Sequence, residues 1–223
     1  MERIYTEVDG VEISFLKGKD SPIVYIHGSG CDASLWKGQL DAIGGYAVDL
    51  PNHGESGDAE INSADDYAYY VAKASSKLLD KAVFAGHSLG GAVAQKIYLN
   101  HEEVVKGLIL IGTGARLRVL PELLKGLKDE PEKYVDFMLE MAFKKKVDEY
   151  DEIKKMFIER SEILRRDLEI CDKFDLLEDY RGGKINVDVP TLLLMRDIIQ
   201  LLEDAADKIE DATDATRILA FAI

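Results

Sequence analysis

One serine of this sequence lies in a setting that can make its hydroxyl a nucleophile. Ser88 is the centre of Gly86-His87-Ser88-Leu89-Gly90. Residues 81–85 before it are typical of a short buried strand, and residues 92–99 after it predict a helix. A serine at a sharp strand-to-helix turn needs small neighbours, which explains a glycine on either side. The chemistry of such a serine is acyl transfer, in which Ser88 Oγ attacks a carbonyl carbon and forms a covalent intermediate.

Two backbone N–H groups near this turn are suited to stabilising the oxyanion that the attack creates. Leu89 begins the predicted helix, whose N-terminus carries partial positive charge. The glycine-rich loop His27-Gly28-Ser29-Gly30 follows an earlier predicted strand and can supply a second donor. We therefore expect the N–H groups of Ser29 and Leu89 to form an oxyanion hole. The alternative for each loop is an ordinary tight turn between a strand and a helix.

Alternating strands and helices must position these loops. Residues 4–8 and 11–15 predict a hairpin around the turn Asp9-Gly10. Further strands are predicted at residues 22–26, 46–50, 81–85 and 107–111, with helices at 34–43, 63–79 and 92–99 between them. This alternation predicts an α/β fold: a mostly parallel sheet with helices on both faces.

The composition changes after this part of the chain. Residues 115–183 are rich in Lys and Glu and helical by pattern, so we expect a helical cap inserted into a core made of 1–114 and 184–223. Within that core, residues 191–195 and 217–223 predict strands and residues 201–212 a helix. Several apolar cap residues either line an acyl pocket or pack within the cap: Leu120, Leu123, Leu124, Leu127, Val135, Phe137, Met138, Met141 and Phe143. The charges around Lys144-Lys145-Lys146, with Asp148 and Glu149, are expected to be solvated.

Four segments in order make the sequence resemble the α/β-hydrolase fold family. They are His27-Gly28-Ser29-Gly30, the run from Asp49 to Ser56, Gly86-His87-Ser88-Leu89-Gly90-Gly91, and Val189-Pro190-Thr191-Leu192-Leu193-Leu194. Within the family, Gly112-Thr113-Gly114-Ala115-Arg116-Leu117 resembles prokaryotic carboxylesterases, which cleave short acyl esters. The resemblance implies a nucleophile at Ser88, oxyanion donors at Ser29 and Leu89, a helical cap over the acyl pocket, and neither a metal nor an organic cofactor.

The rest of the family's triad departs from the usual pattern. The family follows its serine with an acid and then a histidine. Asp197 is the candidate acid, although its turn is short and it can equally be a first-turn helix residue. After Ser88 the sequence contains only His101, so the histidine loop and the closing helix are expected to be missing after the last strand.

The other histidines are weaker candidates for the missing base. His27, His53 and His87 lie in family segments where histidines have secondary or structural roles. We expect His53 to be the least implausible replacement, because its loop follows a strand at the same edge of the sheet. His101 lies about three helical turns beyond Ser88, roughly 20 Å away at 1.5 Å per residue.

Composition excludes several classes of partner. The net charge of −14 disfavours nucleic acid and anionic membrane surfaces. No apolar run is long enough to span a bilayer, and residues 1–5 contain no secretory apolar region. Cys31 and Cys171 are far apart and fit no metal or redox spacing, and two unpaired thiols favour a reducing compartment, the cytoplasm. Scarce Asn and Gln with many Lys and Glu favour a thermophilic source.

The sequence therefore predicts a serine carboxylesterase that acts on a small acyl ester or thioester. Three alternatives stay open: an impaired, truncated or engineered scaffold that binds acyl compounds without turnover, a related reaction such as thioester hydrolysis or lactone opening, and a site completed by a partner chain. The oligomeric state is not predicted.

Overall fold

A six-stranded sheet forms the centre of this computed structural model, which describes residues 1–142 and 150–184. The strands are β1 Glu2–Val8, β2 Val11–Lys17, β3 Ile23–Ile26, β4 Tyr46–Val48, β5 Ala82–His87 and β6 Val105–Ile111. Their order is β1-β2-β4-β3-β5-β6. Strands β4, β3, β5 and β6 are parallel, whereas β1 pairs antiparallel with β2 and β2 antiparallel with β4. The predicted mostly parallel sheet is confirmed.

The antiparallel edge is the predicted hairpin. Val8 pairs with Val11, so Asp9 and Gly10 form a two-residue turn. Both turn residues have positive φ, 50° at Asp9 and 80° at Gly10. This conformation matches the right-handed twist of the two strands, and Asp and Gly are residues that adopt it readily.

Helices follow the strands in the order that the sequence predicts. The α-helices are α1 Lys37–Ala42, α2 Ala64–Ser75, α3 Leu89–Asn100, α4 Pro121–Asp129, α5 Pro131–Ala142, α6 Tyr150–Glu159, α7 Ser161–Lys173 and α8 Leu177–Arg181, with short 3₁₀ turns at Ala33–Trp36 and Glu102–Val104. Helix α3 begins three residues before the predicted start, because Gly90 and Gly91 are helical here. Helix α2 ends at Ser75 rather than residue 79, since Lys77 and Leu78 donate to the carbonyls three residues earlier and tighten the chain into a turn.

Both faces of the sheet are covered, as the alternation of strands and helices predicts. Val24 and Phe84 point to one face, where α3 packs against their strands and α2 packs beside α3 on β1 and β2. Their neighbours Tyr25 and Ala85 point to the other face, where they meet Trp36 and other residues around α1. Because successive side chains of a strand alternate between faces, the strands β3 and β5 are apolar throughout.

Helices α4 to α8, together with residues 115–120 and the turns between them, are called the helical segment below. It has an apolar centre of its own, formed by Leu127, Val135, Leu139, Tyr150, Phe157 and Leu164. Of the apolar residues predicted for the cap, Leu127 and Val135 are buried, whereas Leu120, Phe137 and Met141 are exposed. Phe143, Lys144-Lys145-Lys146, Asp148 and Glu149 lie outside the described residues, as do Asp197 and the strands and helix predicted after residue 184.

The helical segment is tied to the rest of the chain by polar contacts as well as by packing. Arg160 pairs with Asp32 at 2.8 Å, close to the loop at residues 27–30. At the other end of the segment, the Tyr180 hydroxyl donates to Gln95 Oε1 of α3 at 2.7 Å. The segment is therefore anchored both beside β3 and beside α3.

The start of α2 provides a test of this fold. Ser63 Oγ accepts from the N–H of Asp66, and the Asp66 carboxylate accepts in return from the N–H of Ser63. We expect Ser63→Ala to lower the free energy of unfolding by about 1 kcal/mol, because an N-terminal donor of the helix loses its acceptor. Urea unfolding followed by circular dichroism measures the change. Ser76→Ala, at the exposed opposite end of α2, is the control, and equal losses in the two variants would contradict the capping role.

Candidate active site

Ser88 occupies a strained turn between β5 and α3. Strand β5 ends at His87 and α3 begins at Leu89, which leaves one residue for the change of direction. Ser88 has φ 52° and ψ −117°, a conformation that costs a residue with a Cβ on the order of 1–3 kcal/mol. The Ser88 N–H donates to the Ile111 carbonyl at 2.9 Å, and its carbonyl accepts from Gly91 and Ala92. The ends of β6 and α3 therefore hold the serine in this conformation.

The glycines on either side of Ser88 are required by close backbone contacts. A Cβ at Gly86 would lie 2.2 Å from the Gly90 carbonyl oxygen, and a Cβ at Gly90 would lie 2.2 Å from the Ile26 carbonyl oxygen. Both neighbours are backbone atoms, which cannot rotate away as a side chain can. The spacing of small residues around Ser88 is thus a consequence of how closely β3, β5 and α3 approach one another.

Residues 27–30 lie beside Ser88 and are called the oxyanion loop below, after the role that the sequence analysis predicts for them. A Cβ at Gly28 would be 3.4 Å from Ser88 Cβ and 2.9 Å from His87 Nδ1. Within the described part of the chain, neither the Ser29 N–H nor the Leu89 N–H donates to a protein acceptor. Leu89 is the first residue of α3, where N–H groups have no acceptor within the helix. The structure thus brings the Gly28-Ser29 backbone and Ser88 together and leaves both predicted donors unpaired.

The two ring nitrogens of His27 link the oxyanion loop to the loop that follows β4. Its Nδ1 is 2.8 Å from the Gly28 carbonyl oxygen, and its Nε2 accepts from the Leu50 N–H at 3.1 Å. An acceptor at one nitrogen and a donor at the other define a neutral ring with the proton on Nδ1. Burial, together with the nearby charge of His53, lowers the pKa of His27 to about 4. Both ring nitrogens are occupied by the backbone of two loops.

His53 meets an acid that the sequence analysis missed. Its Nε2 lies 2.9 Å from Asp167 Oδ2, and its Nδ1 lies 2.9 Å from the Pro51 carbonyl oxygen. Burial opposes a charge on this ring, but the hydrogen bond and the attraction of Asp167 outweigh it and raise the pKa of His53. Asp167 is fully buried and also accepts from the Gly30 N–H at 2.9 Å and the Tyr67 hydroxyl at 2.7 Å.

A signal for Asp167 was present in the sequence. Leu164, Asp167 and Cys171 recur at helical spacing, and all three are buried on one face of α7. An acid on the apolar side of an amphipathic helix is unusual unless it has a partner. The many acidic residues of the helical segment concealed it.

The remaining histidines lie elsewhere around Ser88. Burial lowers the pKa of His87, whose Nδ1 has no hydrogen-bond partner in the described part of the chain. His101 follows the last residue of α3, about 20 Å along the helix from Ser88. No hydrogen bond joins Ser88 Oγ to any of the four histidines in this part of the structure. Asp197, the candidate acid, lies outside the described residues.

Asp49 holds the loop that carries His53. It is fully buried and accepts from the Ala33 N–H at 2.7 Å and the Glu55 N–H at 3.0 Å, and it forms an ion pair with Arg3. A Cβ at Gly54 would lie 2.3 Å from Asp49 Cγ, so the loop closes tightly over the carboxylate. The Asp49 carboxylate therefore requires a glycine at position 54, which accounts for both residues in the segment from Asp49 to Ser56.

Besides Asp167, the helical segment brings apolar side chains against the oxyanion loop. A Cβ at Gly30 would lie 3.1 Å from Leu164 Cβ and 3.2 Å from Phe157 Cε1.

Within residues 1–142 and 150–184, no cluster of three or more His, Cys, Asp or Glu side chains has a geometry that could hold a metal ion. Over the same residues, no helix combines the length and the apolar character needed to cross a bilayer.

Comparison with known families gives a match over most of the chain. Residues 23–213 match the profile of the "Alpha/beta hydrolase family". This range contains the oxyanion loop, Ser88 and the helical segment.

Individual relatives agree with this match. A solved structure described as a thermophilic esterase is 57% identical, with a TM-score of 0.81, and the match covers 84% of this chain and 75% of that one. An esterase from Exiguobacterium antarcticum shares the fold at 23% identity and a TM-score of 0.71, over 84% of this chain and 79% of that one. A pimeloyl-[acyl-carrier protein] methyl ester esterase from Yersinia pseudotuberculosis is 31% identical over 122 residues, 50% of this chain and 46% of that protein. The match thus spans about half the length of such curated relatives.

The close contact at Gly90 can be tested by substitution. We expect Gly90→Ala to lower the free energy of unfolding by about 1–3 kcal/mol, because the added methyl meets the carbonyl of Ile26 and pushes α3 from β3. Differential scanning calorimetry measures the loss. Gly38→Ala in α1 is the matched control, since a Cβ there has no neighbour within 4 Å. If both variants unfold at the same temperature, the prediction is wrong and the turn at Ser88 does not require a glycine at position 90.

Proposed function

This chain belongs to the α/β-hydrolase family, and we propose that it is a serine-dependent carboxylic ester hydrolase that works through an acyl-enzyme on Ser88. The observation that carries the proposal is the strained, glycine-flanked turn at Ser88 with two unpaired backbone donors beside it. A residue with a Cβ is held at positive φ only where the surrounding structure imposes it, and such positions cluster at reactive sites.

The proposed reaction has two steps. Ser88 Oγ bonds to the carbonyl carbon of an ester, and the carbonyl oxygen becomes an oxyanion that accepts from the N–H groups of Ser29 and Leu89. Collapse of this intermediate breaks the bond to the alcohol, which leaves with a proton and gives the acyl-enzyme. Water then attacks the acyl carbonyl and returns the proton to Ser88 as the acid departs. We place the triad acid at Asp197, from the order of the family's motifs.

The substrate side of the proposal rests on the helical segment. We assign residues 1–114 and 184–223 to the hydrolase core and residues 115–183 to a cap over the acyl group. Phe157 and Leu164 pack against Gly30, so the segment that we assign to the cap has apolar side chains beside the oxyanion loop. The similarity to esterases supports a small acyl ester or thioester as substrate.

The free cysteines Cys31 and Cys171 support a reducing, cytoplasmic location, and the 57% identity to a thermophilic esterase supports a thermophilic source.

A second candidate function is favoured by the state of the histidines. Both ring nitrogens of His27 and of His53 already have partners, so neither ring is available to Ser88 in this arrangement. A serine without a base is a weak nucleophile, and a residual ~10³–10⁴-fold acceleration over water can come from binding and the oxyanion hole alone. The second candidate is therefore an acyl-binding scaffold with little turnover.

Hydrolysis of p-nitrophenyl butyrate separates the two candidates. We expect the wild-type chain to turn over and Ser88→Ala to lose at least about 99% of the rate, because the nucleophile is removed. Ser76→Ala, an exposed serine in a turn after α2, is the matched control and should keep the wild-type rate.

Intact mass spectrometry of the same mixtures completes the test. One butyryl group on the wild type but not on Ser88→Ala, without turnover, would establish a reactive serine and an impaired second step. Neither acylation nor turnover in a folded sample would overturn the esterase proposal, and tight binding of the ester without reaction would support the scaffold.

A further inference from the structure

The buried cluster around Asp167 joins the helical segment to the oxyanion loop. Three donors converge on one carboxylate: the Gly30 N–H and His53 Nε2 at Oδ2, both at 2.9 Å, and the Tyr67 hydroxyl at Oδ1, at 2.7 Å. Asp167 is 0% exposed, His53 4% and Tyr67 3%. A carboxylate removed from water in this way is stable only when donors or opposite charge replace the lost hydration.

The hydrogen bonds of His53 define its protonation state. Its Nδ1 faces the Pro51 carbonyl oxygen and its Nε2 faces the Asp167 carboxylate. With Asp167 as a carboxylate, both oxygens only accept, and this arrangement favours a proton on each ring nitrogen. The ring is then an imidazolium, and His53 and Asp167 form a buried ion pair.

An amide cannot replace this carboxylate. Oδ2 receives two donors, Gly30 N–H and His53 Nε2–H. In Asp167→Asn, an NH2 group turned to this side would meet the Gly30 N–H donor to donor. If the amide oxygen were turned to this side instead, the imidazolium would lose its counter-charge in a buried site.

Helix α7 contacts the oxyanion loop at more than one point. Cys171 lies one turn beyond Asp167, and its Sγ is 3.6 Å from Ser29 Oγ. Arg160, just before α7, pairs with Asp32 immediately after the loop. Only the contact of Asp167, however, takes up a backbone N–H of the loop itself. The Gly30 N–H belongs to the peptide group between Ser29 and Gly30, so its hydrogen bond to Asp167 orients that peptide directly. The preceding peptide group, which carries the Ser29 N–H, is held at its Gly28 carbonyl by His27 and by the Cys31 N–H.

We propose that Asp167 is a positioning residue for the oxyanion hole, which it orients by binding the Gly30 N–H directly and by holding His53 as an imidazolium. This inference rests on the proposed function, since Ser29 is there one of the two oxyanion donors. It makes the helical segment part of the catalytic geometry as well as a cover for the acyl group.

The arrangement has a pH dependence with a defined sign. The folded pKa of His53 lies above its ordinary value of 6.5, so the ion pair stabilises the fold fully below pH 6.5. The stabilisation is lost as the pH rises through the folded pKa, because the neutral ring then turns a lone pair toward an acceptor. The other titratable or charged groups around the pair are His27, Tyr67, Cys31, Cys171, Arg160 and Arg166.

Amide hydrogen exchange measured by NMR tests the positioning without any catalysis. In Asp167→Asn we expect the Gly30 N–H to exchange at least tenfold faster, while the Val119 N–H is unchanged. Asp172→Asn is the matched control on the same helix, because Asp172 Oδ1 accepts from the Val119 N–H at 3.1 Å. It should accelerate Val119 and leave Gly30 protected. Acceleration of both amides by both variants would overturn the proposal and leave α7 as a packing helix only.

Titration of the His53 ring gives a second, independent readout. We expect the Cε1–Hε1 signal, assigned with His53→Gln, to titrate above pH 6.5 in the wild type and below it in Asp167→Asn, where only the hydrogen bond to the Pro51 carbonyl still opposes burial and Arg160. A wild-type His53 that titrates below pH 6.5 would overturn the proposal. If Asp167→Asn does not fold, the wild type still decides it: Gly30 exchange must rise relative to Val119 as the pH passes the pKa of His53.

Activity distinguishes this inference from the proposed function. If the wild type hydrolyses p-nitrophenyl butyrate, Asp167→Asn should lower kcat at least tenfold and leave KM within threefold, because an oxyanion donor acts in the transition state. An unchanged kcat with faster Gly30 exchange would overturn the catalytic part of the proposal. If the wild type shows no reaction at Ser88, the proposed function fails, whereas exchange and titration still decide what Asp167 positions.

Discussion

The close approach of three backbone segments at Gly86 and Gly90 is the constraint on which the site depends. The end of β5, the start of α3 and the end of β3 come so near that a methyl group at either glycine would lie 2.2 Å from a carbonyl oxygen. This contact leaves a single residue for the turn and forces Ser88 to positive φ. It also brings the oxyanion loop, which continues β3, against the serine. Parallel strands β3 and β5 produce this arrangement because their carboxyl ends meet at one edge of the sheet.

The helical segment contacts the oxyanion loop in two ways, by apolar packing and by the hydrogen bonds of Asp167. Its apolar centre supplies Phe157 and Leu164 next to Gly30, and such contacts hold helices together without a preferred orientation of any peptide group. Asp167 adds direction, because a buried carboxylate with three donors has few acceptable geometries. A buried ion pair contributes little net stability after desolvation, so its value in this molecule is better sought in geometry. The strands and α3 hold Ser88 in its turn, and a side chain of the helical segment binds the Gly30 N–H of the neighbouring loop.

Much of the fold could be predicted because local patterns and tertiary structure agree. The Asp9-Gly10 hairpin, the capped start of α2 and the alternation of strands with helices follow from turn chemistry, capping and the pattern of apolar residues. The boundaries of α2 and α3 could not be predicted as well. Glycines weaken a helix in isolation, yet Gly90 and Gly91 both lie in α3. The Ile26 backbone next to Gly90 and the Thr113 side chain next to Gly91 leave no room for larger residues there.

The sequence by itself determined the candidate nucleophile and its setting, since Gly86-His87-Ser88-Leu89-Gly90 between a strand and a helix has few structural solutions. It also determined the two candidate oxyanion donors, the N–H groups of Ser29 and Leu89, because both follow predicted parallel strands. Only the tertiary structure showed the contacts of the histidines and of Asp167. Asp167 lies 114 residues from His53 along the chain and 2.9 Å from it in space. A hydrogen bond depends on where two side chains meet, and no local pattern carries that information across separate elements.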